Sequence, residues 1–580
     1  MQTIELTVEI PKKTLRTFLP QNFTIHDWYS IKPYLDELKK RAIKNVSNLR
    51  TWLKDRSEVE TIINEESIWR FIKMTRNTEE ATAQESYQYF IEKILPKLSK
   101  YEYELNLKFL ESPHLKKLST DKYAVYIRSI EKNVAIYHPS NVKLLTELKV
   151  KEYQYHTISG GLSVEIDGKE LTMQQARKLL FDKRRTFRKK AYLAIAEKRK
   201  ETASILEDLF DELLVLRQKI AVNAGFENFR DYSFTALGRF DYTAKQCETF
   251  HKSITEEVVP IMNEIYEEKK QQLGIKTFKL WDVYADPFGQ KPLQPFEDVD
   301  DLVSKTIACL YQIQPYFGER VAIMQEMNCL DLDSRKGKAP GGYNCTLPET
   351  GVSFIFMNAV GTDRDLKIMI HESGHAIHGF LSQDLELSAF KRFPSEVAEL
   401  ASMSMELMSM EHWQGIFYDN DADMARAKYI QLAHIINLLP WVATIDKFQH
   451  WVYTNPGHTR EERKETWMEI YKSFLSKEID TKGMDEHLEI VWHKQLHLFT
   501  APFYYIEYAI AQLGAVGIWK NYCRKPEKAI EKYTNALKLG YTRPIPEIYK
   551  TAGTKFNFSK ASVRDLMKFV RGEMKACLPK

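Results

Sequence analysis

The chain has 580 residues, of which 44% are hydrophobic and 28% are charged, and its formal net charge is +4. These proportions are ordinary for a globular protein, and a net charge this small gives no reason to expect nucleic acid as a partner. The N-terminal stretch lacks the basic head and apolar core of an export signal, and no later run approaches the roughly 20 apolar residues of a membrane span. We therefore expect a large folded core, a cytoplasmic location and no membrane contact, while the oligomeric state is left open.

The cysteines are scattered along the chain, without the spacing of a disulfide framework or of a cysteine-based metal site. We expect all of them to be free thiols in a reducing compartment. The six are Cys247, Cys309, Cys329, Cys345, Cys523 and Cys577.

The first part of the chain predicts long helices and one short β element. Residues 27–110 and 173–223 carry helical patterns of charged and apolar residues with few breakers. Between them, LSVEIDGKELT predicts a β-hairpin with Asp167 and Gly168 at its turn.

The segments that follow the hairpin are also mainly helical. Thr172 and Gln175 predict a capping box that begins the next helix. Residues 182–200 are strongly basic, but their apolar positions recur with a helical period, so we interpret them as a solvated helix face rather than a polyanion site. Residues 274–300, with three prolines, predict a loop or a short β element.

A strand is predicted at residues 351–358, GVSFIFMN, because Val, Ile and Phe dominate a short run bounded by Gly351 and Gly361. If one edge of this strand stays open, an extended peptide can pair with it through main-chain hydrogen bonds. An ordinary buried strand is an equal alternative at this point. Gly341 and Gly342 predict a flexible turn just before it.

The most informative motif is HESGH, in which His371 and His375 flank Glu372. Residues four apart project from nearly the same side of a helix, so two imidazoles can hold one metal ion while the glutamate faces a water on it. The surrounding apolar residues predict a largely buried helix, where imidazoles and a carboxylate need partners. A surface helix that carries two histidines by chance is the alternative.

A catalytic zinc site needs a third protein ligand, and a second helix after Pro394 offers three glutamates. Glu399 lies among apolar residues, so we predict it as the ligand. Glu406, seven positions later on the same face, is predicted to accept a hydrogen bond from a ligand histidine. Glu396, in the first turn, is predicted to lie at the surface.

A late aromatic segment, HLFTAPFYYIEYAIAQLGA, has helical spacing interrupted by Pro502. An aromatic core cluster is the plain interpretation of its tyrosines. Beside a metal centre, phenol hydroxyls and an imidazole can instead stabilise the oxyanion formed when water attacks a carbonyl. We assign His497, Tyr505 and Tyr508 to substrate binding or oxyanion support; the choice among these two and Tyr504 stays open, and His493 is a spare candidate.

These motifs together resemble the M3 family of zinc oligopeptidases, relatives of thimet oligopeptidase, and within it the oligoendopeptidase F branch. The resemblance rests on five segments that follow one another here in the same order as in that family, over about residues 280–515. They are WDVYADP, PGGYNCTLPETGVSFIFMN, NAVGTDRDLKIMIHESGHAIH, AELASMSME and the tyrosine-rich segment. Ser373 stands where the family often has a larger residue, and the tyrosine spacing after the histidine is not reproduced cleanly.

The resemblance implies a mainly α fold: a two-lobed helical metallopeptidase with a deep central channel and a small β-sheet next to the HExxH helix. We divide the chain into residues 1–200, an N-terminal helical region with a short β-hairpin, and residues 201–580, the zinc peptidase catalytic region, both lobes forming one compact unit. One Zn²⁺ per chain is expected on His371, His375 and Glu399, with Glu372 as general base.

The predicted function is hydrolysis of internal bonds in short unstructured peptides, which are the expected partners. Two alternatives remain: a zinc exopeptidase that trims peptide ends, and a non-catalytic helical peptide-binding protein. Blocking both ends of a peptide substrate separates the first from an endopeptidase, and retention of Glu372 argues against the second.

Overall fold

The computed structural model describes residues 6, 8–11, 13, 15–118, 120–287 and 289–578. In this part of the chain helices dominate and strands are few, as predicted. Residues between Leu19 and Ile130 form most of a separate core, and the N-terminal helices begin at residue 28. They are α1 Trp28–Lys40, α2 Val46–Arg76, α3 Ala81–Tyr89, α4 Leu95–Leu110, α5 Thr120–Ile136 and α6 Pro139–Gly160.

The predicted β-hairpin is present, with β1 at Ser163–Ile166 paired antiparallel with β2 at Lys169–Thr172. Asp167 and Gly168 adopt positive φ angles of 54° and 73°, which match a tight two-residue turn. The predicted capping box also forms, and it begins the next helix. The helices that follow are α7 Met173–Lys178, α8 Arg185–Glu201, α9 Ala203–Asn223, α10 Phe229–Ala236, α11 Ala244–Glu257 and α12 Val259–Gln272.

The described residues between 274 and 298 contain one turn of 3₁₀ helix at Leu280–Asp282 and an isolated β-bridge at Phe278, and they are otherwise irregular, in agreement with the predicted loop or short β element. Two helices then lead into a small mixed sheet. These elements are α13 Val299–Ile313, α14 Pro315–Glu326, β3 Leu330–Asp333, β4 Tyr343–Leu347 and β5 Val352–Ala359.

Strand β5, predicted from GVSFIFMN, is the central strand of this sheet. It pairs parallel with β3, with Leu330 opposite Ile355, and antiparallel with β4, with Cys345 opposite Phe354. Both edges of β5 are occupied, so of the two alternatives for this segment the ordinary buried strand is the one observed. Strands β3 and β4 are the two edge strands of the sheet.

The remaining helices form the largest core together with the sheet and with α9–α14. They are α15 Asp363–Leu381, α16 Ser395–Ser409, α17 Asp421–Thr454, α18 Arg460–Phe474, α19 Asp485–Leu488, α20 Leu496–Thr500, α21 Ile506–Tyr522, α22 Pro526–Leu537, α23 Ile545–Thr551 and α24 Lys560–Ala576. Helix α16 packs between α15 and α21, and the sheet lies against α15.

Glycine at two helix contacts permits this packing. A Cβ atom at Gly374 of α15 would lie 2.6 Å from the Cα of Ser402 on α16, and one at Gly514 of α21 would lie 2.6 Å from Leu400 Cδ1. Any larger residue would force these helices apart. Helix α16 is therefore held close to α15 on one side and to α21 on the other.

Across the described helices, none has both the length and the apolar character required to cross a membrane. The predicted cytoplasmic location and the division at residue 200 stay predictions.

Candidate active site

The HESGH motif lies in the second half of α15, which begins with a capping box between Thr362 and Asp365. Its two imidazoles face the same way, as the four-residue spacing requires. The ring centroids of His371 and His375 lie 4.8 Å apart, at an interplanar angle of 87°. Both side chains are about one-fifth exposed, at 22% and 19%, so they remain accessible to solvent.

Glu399, the predicted third ligand, projects from α16 towards both imidazoles. Its Oε2 atom lies 3.3 Å from His371 Nε2 and 3.8 Å from His375 Nε2. One ligand atom from each of the three residues lies within 4.8 Å of the other two. Two nitrogens and a carboxylate oxygen at these separations fit a single divalent cation, and this donor set suits zinc.

Glu406 contacts the ring nitrogen of His371 that faces away from Glu399, as predicted from its position on the same helix face as Glu399. Its Oε1 lies 2.7 Å from His371 Nδ1, and its Oε2 accepts a hydrogen bond of 2.7 Å from Gln431 on α17. A carboxylate can only accept here, so Nδ1 carries the proton and Nε2 presents its lone pair to the Glu399 side.

The surrounding side chains give the carboxyl groups of Glu372 and Glu399 very different pKa values. Burial raises the pKa of Glu372 to about 7, and Glu399 and Glu406 act in the same direction while His371 opposes them. Burial also acts to raise the pKa of Glu399, but His375 and His371 outweigh it and lower that pKa to about 2. Glu399 is thus held as an anion, whereas Glu372 is a carboxyl poised between its two protonation states.

The edge strand β4 lies directly against the motif. The side chain of Asn344 donates a 3.1 Å hydrogen bond to the backbone carbonyl of Glu372. Burial raises the pKa of the neighbouring Cys345 to about 12, and the charge of Glu372 adds to this rise. The sequence analysis did not identify Asn344, because a strand residue that braces a helix has no local sequence pattern.

The tyrosine segment reaches the site through a break between α20 and α21. Phe503 adopts a positive φ of 68°, which turns the chain so that Tyr504 precedes α21. The Tyr504 hydroxyl donates to Glu399 Oε1 at 3.4 Å. Burial raises the pKa of Tyr508, and the charge of Glu399 and contact with Tyr504 raise it further.

The hydroxyl of Tyr505 lies elsewhere, beside Gln495 and Trp441. Tyr508 and Tyr505 were both predicted to bind substrate or support the oxyanion. Tyr508 lies near Glu399, the candidate metal ligand, whereas the hydroxyl of Tyr505 points away from it. Tyr504 is the additional residue that the helical interpretation could not single out, because it lies in the turn rather than in the helix.

His497 lies among all three tyrosines, with ring centroids 5.7 Å from Tyr504, 4.7 Å from Tyr505 and 5.9 Å from Tyr508. Burial lowers the pKa of its imidazole to about 4, so the ring is neutral near neutral pH.

A hydrogen-bond relay sets the tautomer of His497. Trp441 Nε1 donates to Gln495 Oε1 at 2.8 Å, so the amide nitrogen of Gln495 faces His497 Nδ1, at 2.7 Å, and donates to it. Nδ1 is then the acceptor, and Nε2 carries a proton that it can donate.

Two other sequence interpretations fall outside the site. His493, the spare candidate, is buried and contacts Glu207 Oε1 at 3.0 Å. Glu396 is not at the surface as predicted: it is only 3% exposed and accepts a 2.7 Å hydrogen bond from the Tyr242 hydroxyl. The first turn of α16 is covered by neighbouring elements, which its sequence does not reveal.

A third imidazole, that of His434 on α17, lies within electrostatic reach of Glu406. His434 of α17 is exposed, yet loss of hydration lowers the pKa of its imidazole, with Glu406 acting in the opposite sense. His434 thus joins the partly exposed His371 and His375 as an accessible imidazole of this region.

Two adjoining helices that present His, His and Glu beside a free buried carboxylate are the arrangement of HExxH metallopeptidases. Comparison with known families extends this assignment. Residues 179–568 match the model described as Peptidase family M3, and residues 18–137 match the Peptidase M3 N-terminal domain. The chain belongs to peptidase family M3, and it is a metallo-oligopeptidase that acts on peptides.

Individual relatives agree with this assignment. An oligoendopeptidase F homolog of Borreliella burgdorferi is 23% identical over 460 residues, which cover 77% of this chain and 75% of the relative. Oligopeptidase PepF of Bacillus subtilis is 22% identical over 54% of this chain and 48% of its own length. The solved structure of PZ peptidase A with an inhibitor superposes with a TM-score of 0.87 at 25% identity, covering 94% of this chain and 96% of that one. The predicted family and mainly helical fold are confirmed.

Proposed function

We propose that this protein is a zinc-dependent endopeptidase that cleaves internal bonds of short, unstructured peptides. His371, His375 and Glu399 hold one Zn²⁺, and Glu372 is the general base. The observation that carries the proposal is the convergence of these three donors within 4.8 Å, immediately beside a buried carboxylate that is not one of them.

Zinc, when bound, supplies a Lewis acid that acidifies water and polarises the scissile carbonyl. Glu372 accepts the proton of the attacking water and then delivers it to the departing amine. This role requires a carboxyl whose pKa lies near the working pH, and burial provides such an environment. No covalent intermediate with the protein is needed.

The negative charge that develops on the carbonyl oxygen requires donors. The hydroxyls of Tyr508 and Tyr504 and the Nε2–H of His497 belong to one aromatic cluster beside Glu399. Donors fixed in advance around that oxygen stabilise the transition state more than the substrate. We assign them this role, with Tyr505 as a packing neighbour that holds His497 in place.

The edge strand β4 supplies a docking surface for extended peptides. It lies against α15 and has only β5 as a strand neighbour in the described sheet. A peptide added along this edge is recognised through its backbone, so side-chain preference is broad. A narrow cleft admits flexible peptides and excludes folded proteins.

Replacing the general base tests the chemistry. We expect Glu372→Gln to lower kcat by about 10²–10⁴-fold while the zinc content stays at the wild-type value, because Glu372 is not a ligand. The matched control is Glu411→Gln, a change of the same type in a residue that pairs with Lys428 away from the site. Unchanged hydrolysis by the Glu372 variant would refute its role as the base.

The endopeptidase mode is tested with peptides blocked at both ends. We expect cleavage at internal bonds, detected by mass spectrometry, and loss of all products in the presence of a chelator. An enzyme that cuts only unblocked peptides would be an exopeptidase, in which case the zinc chemistry would stand and the endopeptidase assignment would fall.

A further inference from the structure

A second cluster of metal-binding side chains lies in the core, on helices other than α15 and α16. Cys247 and His251 are four residues apart on α11, and Asp446 and His450 are four residues apart on α17. Helices α11 and α17 pack against each other. Each pair lies on one face of its helix, so the side chains of the two pairs meet where α11 packs against α17. His371 and His375 of α15 meet Glu399 of α16 in a similar way.

The members of this cluster are buried. Cys247 and Asp446 are 0% exposed, and His450 is 8% exposed. One ligand atom from each of these three lies within 4.8 Å of the other two. Asp446 Oδ2 lies 3.3 Å from His450 Nε2, the separation that also joins Glu399 Oε2 to His371 Nε2 in the candidate active site.

The polar atoms of the cluster are incompletely satisfied. Asp446 Oδ1 and both ring nitrogens of His450 have no hydrogen-bond partner among the described residues. His450 Nε2 lies close enough to Asp446 to form a hydrogen bond, but its angle does not fit one. Buried polar atoms without partners are unfavourable, and donors that converge without bonding to one another are typical of a set that shares a cation.

We propose that Cys247, Asp446 and His450 form a second divalent-cation site, with zinc as the ion that suits a sulfur, oxygen and nitrogen donor set. His251 holds the carboxylate through a 2.7 Å contact between its Nε2 and Asp446 Oδ2. On binding, the Cys247 thiol releases its proton to solvent, and the thiolate and the carboxylate together balance the two positive charges. The free Oδ1 of Asp446 gives a fourth donor atom when this residue binds through both oxygens.

The position of this cluster gives it a structural role. The ring of His450 packs 5.4 Å from that of Phe503, and the neighbouring Gln449 accepts a 2.6 Å hydrogen bond from the Phe503 backbone. Phe503 is the left-handed residue that turns the chain into the tyrosine segment. A cation that ties α11 to α17 therefore supports the turn that presents Tyr504, without contacting the substrate.

Metal content and absorption spectroscopy test this site. The full-length protein, saturated with zinc and then dialysed, should contain two zinc ions per chain. After exchange for Co²⁺, it should show a near-ultraviolet charge-transfer band from thiolate to cobalt. The candidate active site cannot give this band, because His371, His375 and Glu399 supply no sulfur.

Variants separate the two sites. Cys247→Ser should lose one zinc ion and the cobalt band while it retains the zinc ion on His371, His375 and Glu399 and measurable peptidase activity, with a lower kcat because the turn at Phe503 loses its support. His375→Ala should lose activity and one zinc ion but keep the band, so that failure of one proposal is distinguishable from failure of the other. Cys309→Ser, which changes another fully buried cysteine, is the matched control and should keep both ions.

Two results would overturn the second site: a wild-type protein with one zinc ion and no cobalt band, or a Cys247→Ser protein that keeps the band. The wild-type spectrum needs no variant, so a variant that fails to fold does not prevent the decision.

Discussion

At the scale of single residues, the His–His–Glu arrangement was predictable because it depends on local spacing. His371 and His375 are four apart, and Glu399 and Glu406 are seven apart, so one face of each helix is fixed by the sequence alone. Tyr504 was not predictable in the same way. Its direction depends on the left-handed Phe503 before it, and a non-glycine residue in that conformation has no clear sequence pattern.

Glu406 provides the first test at this scale. Its two oxygens contact different groups, His371 Nδ1 and Gln431 Nε2. In Glu406→Gln a single oxygen remains, so one of the two contacts is lost together with the negative charge. We expect zinc affinity to fall by about 10–100-fold, with little change in kcat at saturating zinc.

The measurement is peptidase activity over a series of zinc-buffered solutions, which reports only the catalytic ion. Glu411→Gln, the same substitution at a residue away from the site, is again the control. A Glu406 variant whose activity follows the wild-type zinc dependence would show that Glu406 does not orient His371.

The tyrosines give a second test, with an internal control. We expect Tyr508→Phe and Tyr504→Phe to lower kcat by about 10²–10³-fold each, the usual loss when one oxyanion donor is removed. Tyr505→Phe should lose much less, since its hydroxyl lies beside Gln495 and Trp441. Steady-state kinetics on one peptide compares the three. Equal losses in all three variants would mean that the hydroxyls act through packing.

At the scale of elements, the sequence predicted the hairpin, the strand β5 and several helices, among them α15, α16 and α21, but not which strands are neighbours. GVSFIFMN reads correctly as a strand, yet its place at the centre of the sheet depends on β3, which precedes it by more than twenty residues, and on β4. Pairing partners come from tertiary contacts, whereas the strand pattern is local. The burial of Glu396 was missed for the same reason, because Tyr242 reaches it from a distant part of the chain.

Docking on the edge of β4 is testable with substrate analogues. An extended peptide paired with an edge strand uses only every second N–H group, because alternate groups point away. We expect methylation of alternate amide nitrogens of the peptide to lower kcat/KM by roughly 2- to 13-fold each, the loss of one hydrogen bond of about 0.5–1.5 kcal/mol. Methylation at the positions between them should have a smaller effect.

Alanine replacements at the same peptide positions are the control, because they alter side chains and keep the backbone donors. A uniform response to methylation along the peptide would rule out strand pairing at β4.

At the scale of the whole molecule, the N-terminal helices are attached to the catalytic sheet through one buried carboxylate, that of Asp331. Arg76 of α2 donates to Asp331 of β3 at 2.7 Å, and Arg335 and Lys338 reach the same carboxylate. The Lys338 side chain is fully buried. Composition predicted a large core, but no local pattern could show that a lysine would lie inside it, since charged residues are buried only when tertiary contacts pair them.

Removing the carboxylate should loosen this attachment. In Asp331→Asn the buried Lys338 ammonium keeps only carbonyl partners, and such an unpaired buried charge costs about 3–5 kcal/mol of stability. We expect a lower melting temperature and an earlier urea midpoint. Asp333→Asn, two residues away at an exposed position, is the control, because the backbone carbonyl of Asp333 that contacts Lys338 is retained.

The comparison of wild type with Asp331→Asn also gives a prediction for how stability depends on pH. Burial alone would raise the pKa of Asp331, but Arg335, Lys338 and Arg76 outweigh it and hold that pKa well below its ordinary value. A carboxyl whose pKa is depressed by folding contributes stability that is fully present above its unfolded pKa of about 3.9 and is lost as the pH falls towards the folded value. The difference in urea midpoint between wild type and Asp331→Asn should therefore stay constant from about pH 8 to 6 and shrink below about pH 5. A difference that instead grew on acidification would show that the carboxylate is not stabilised by these three cations.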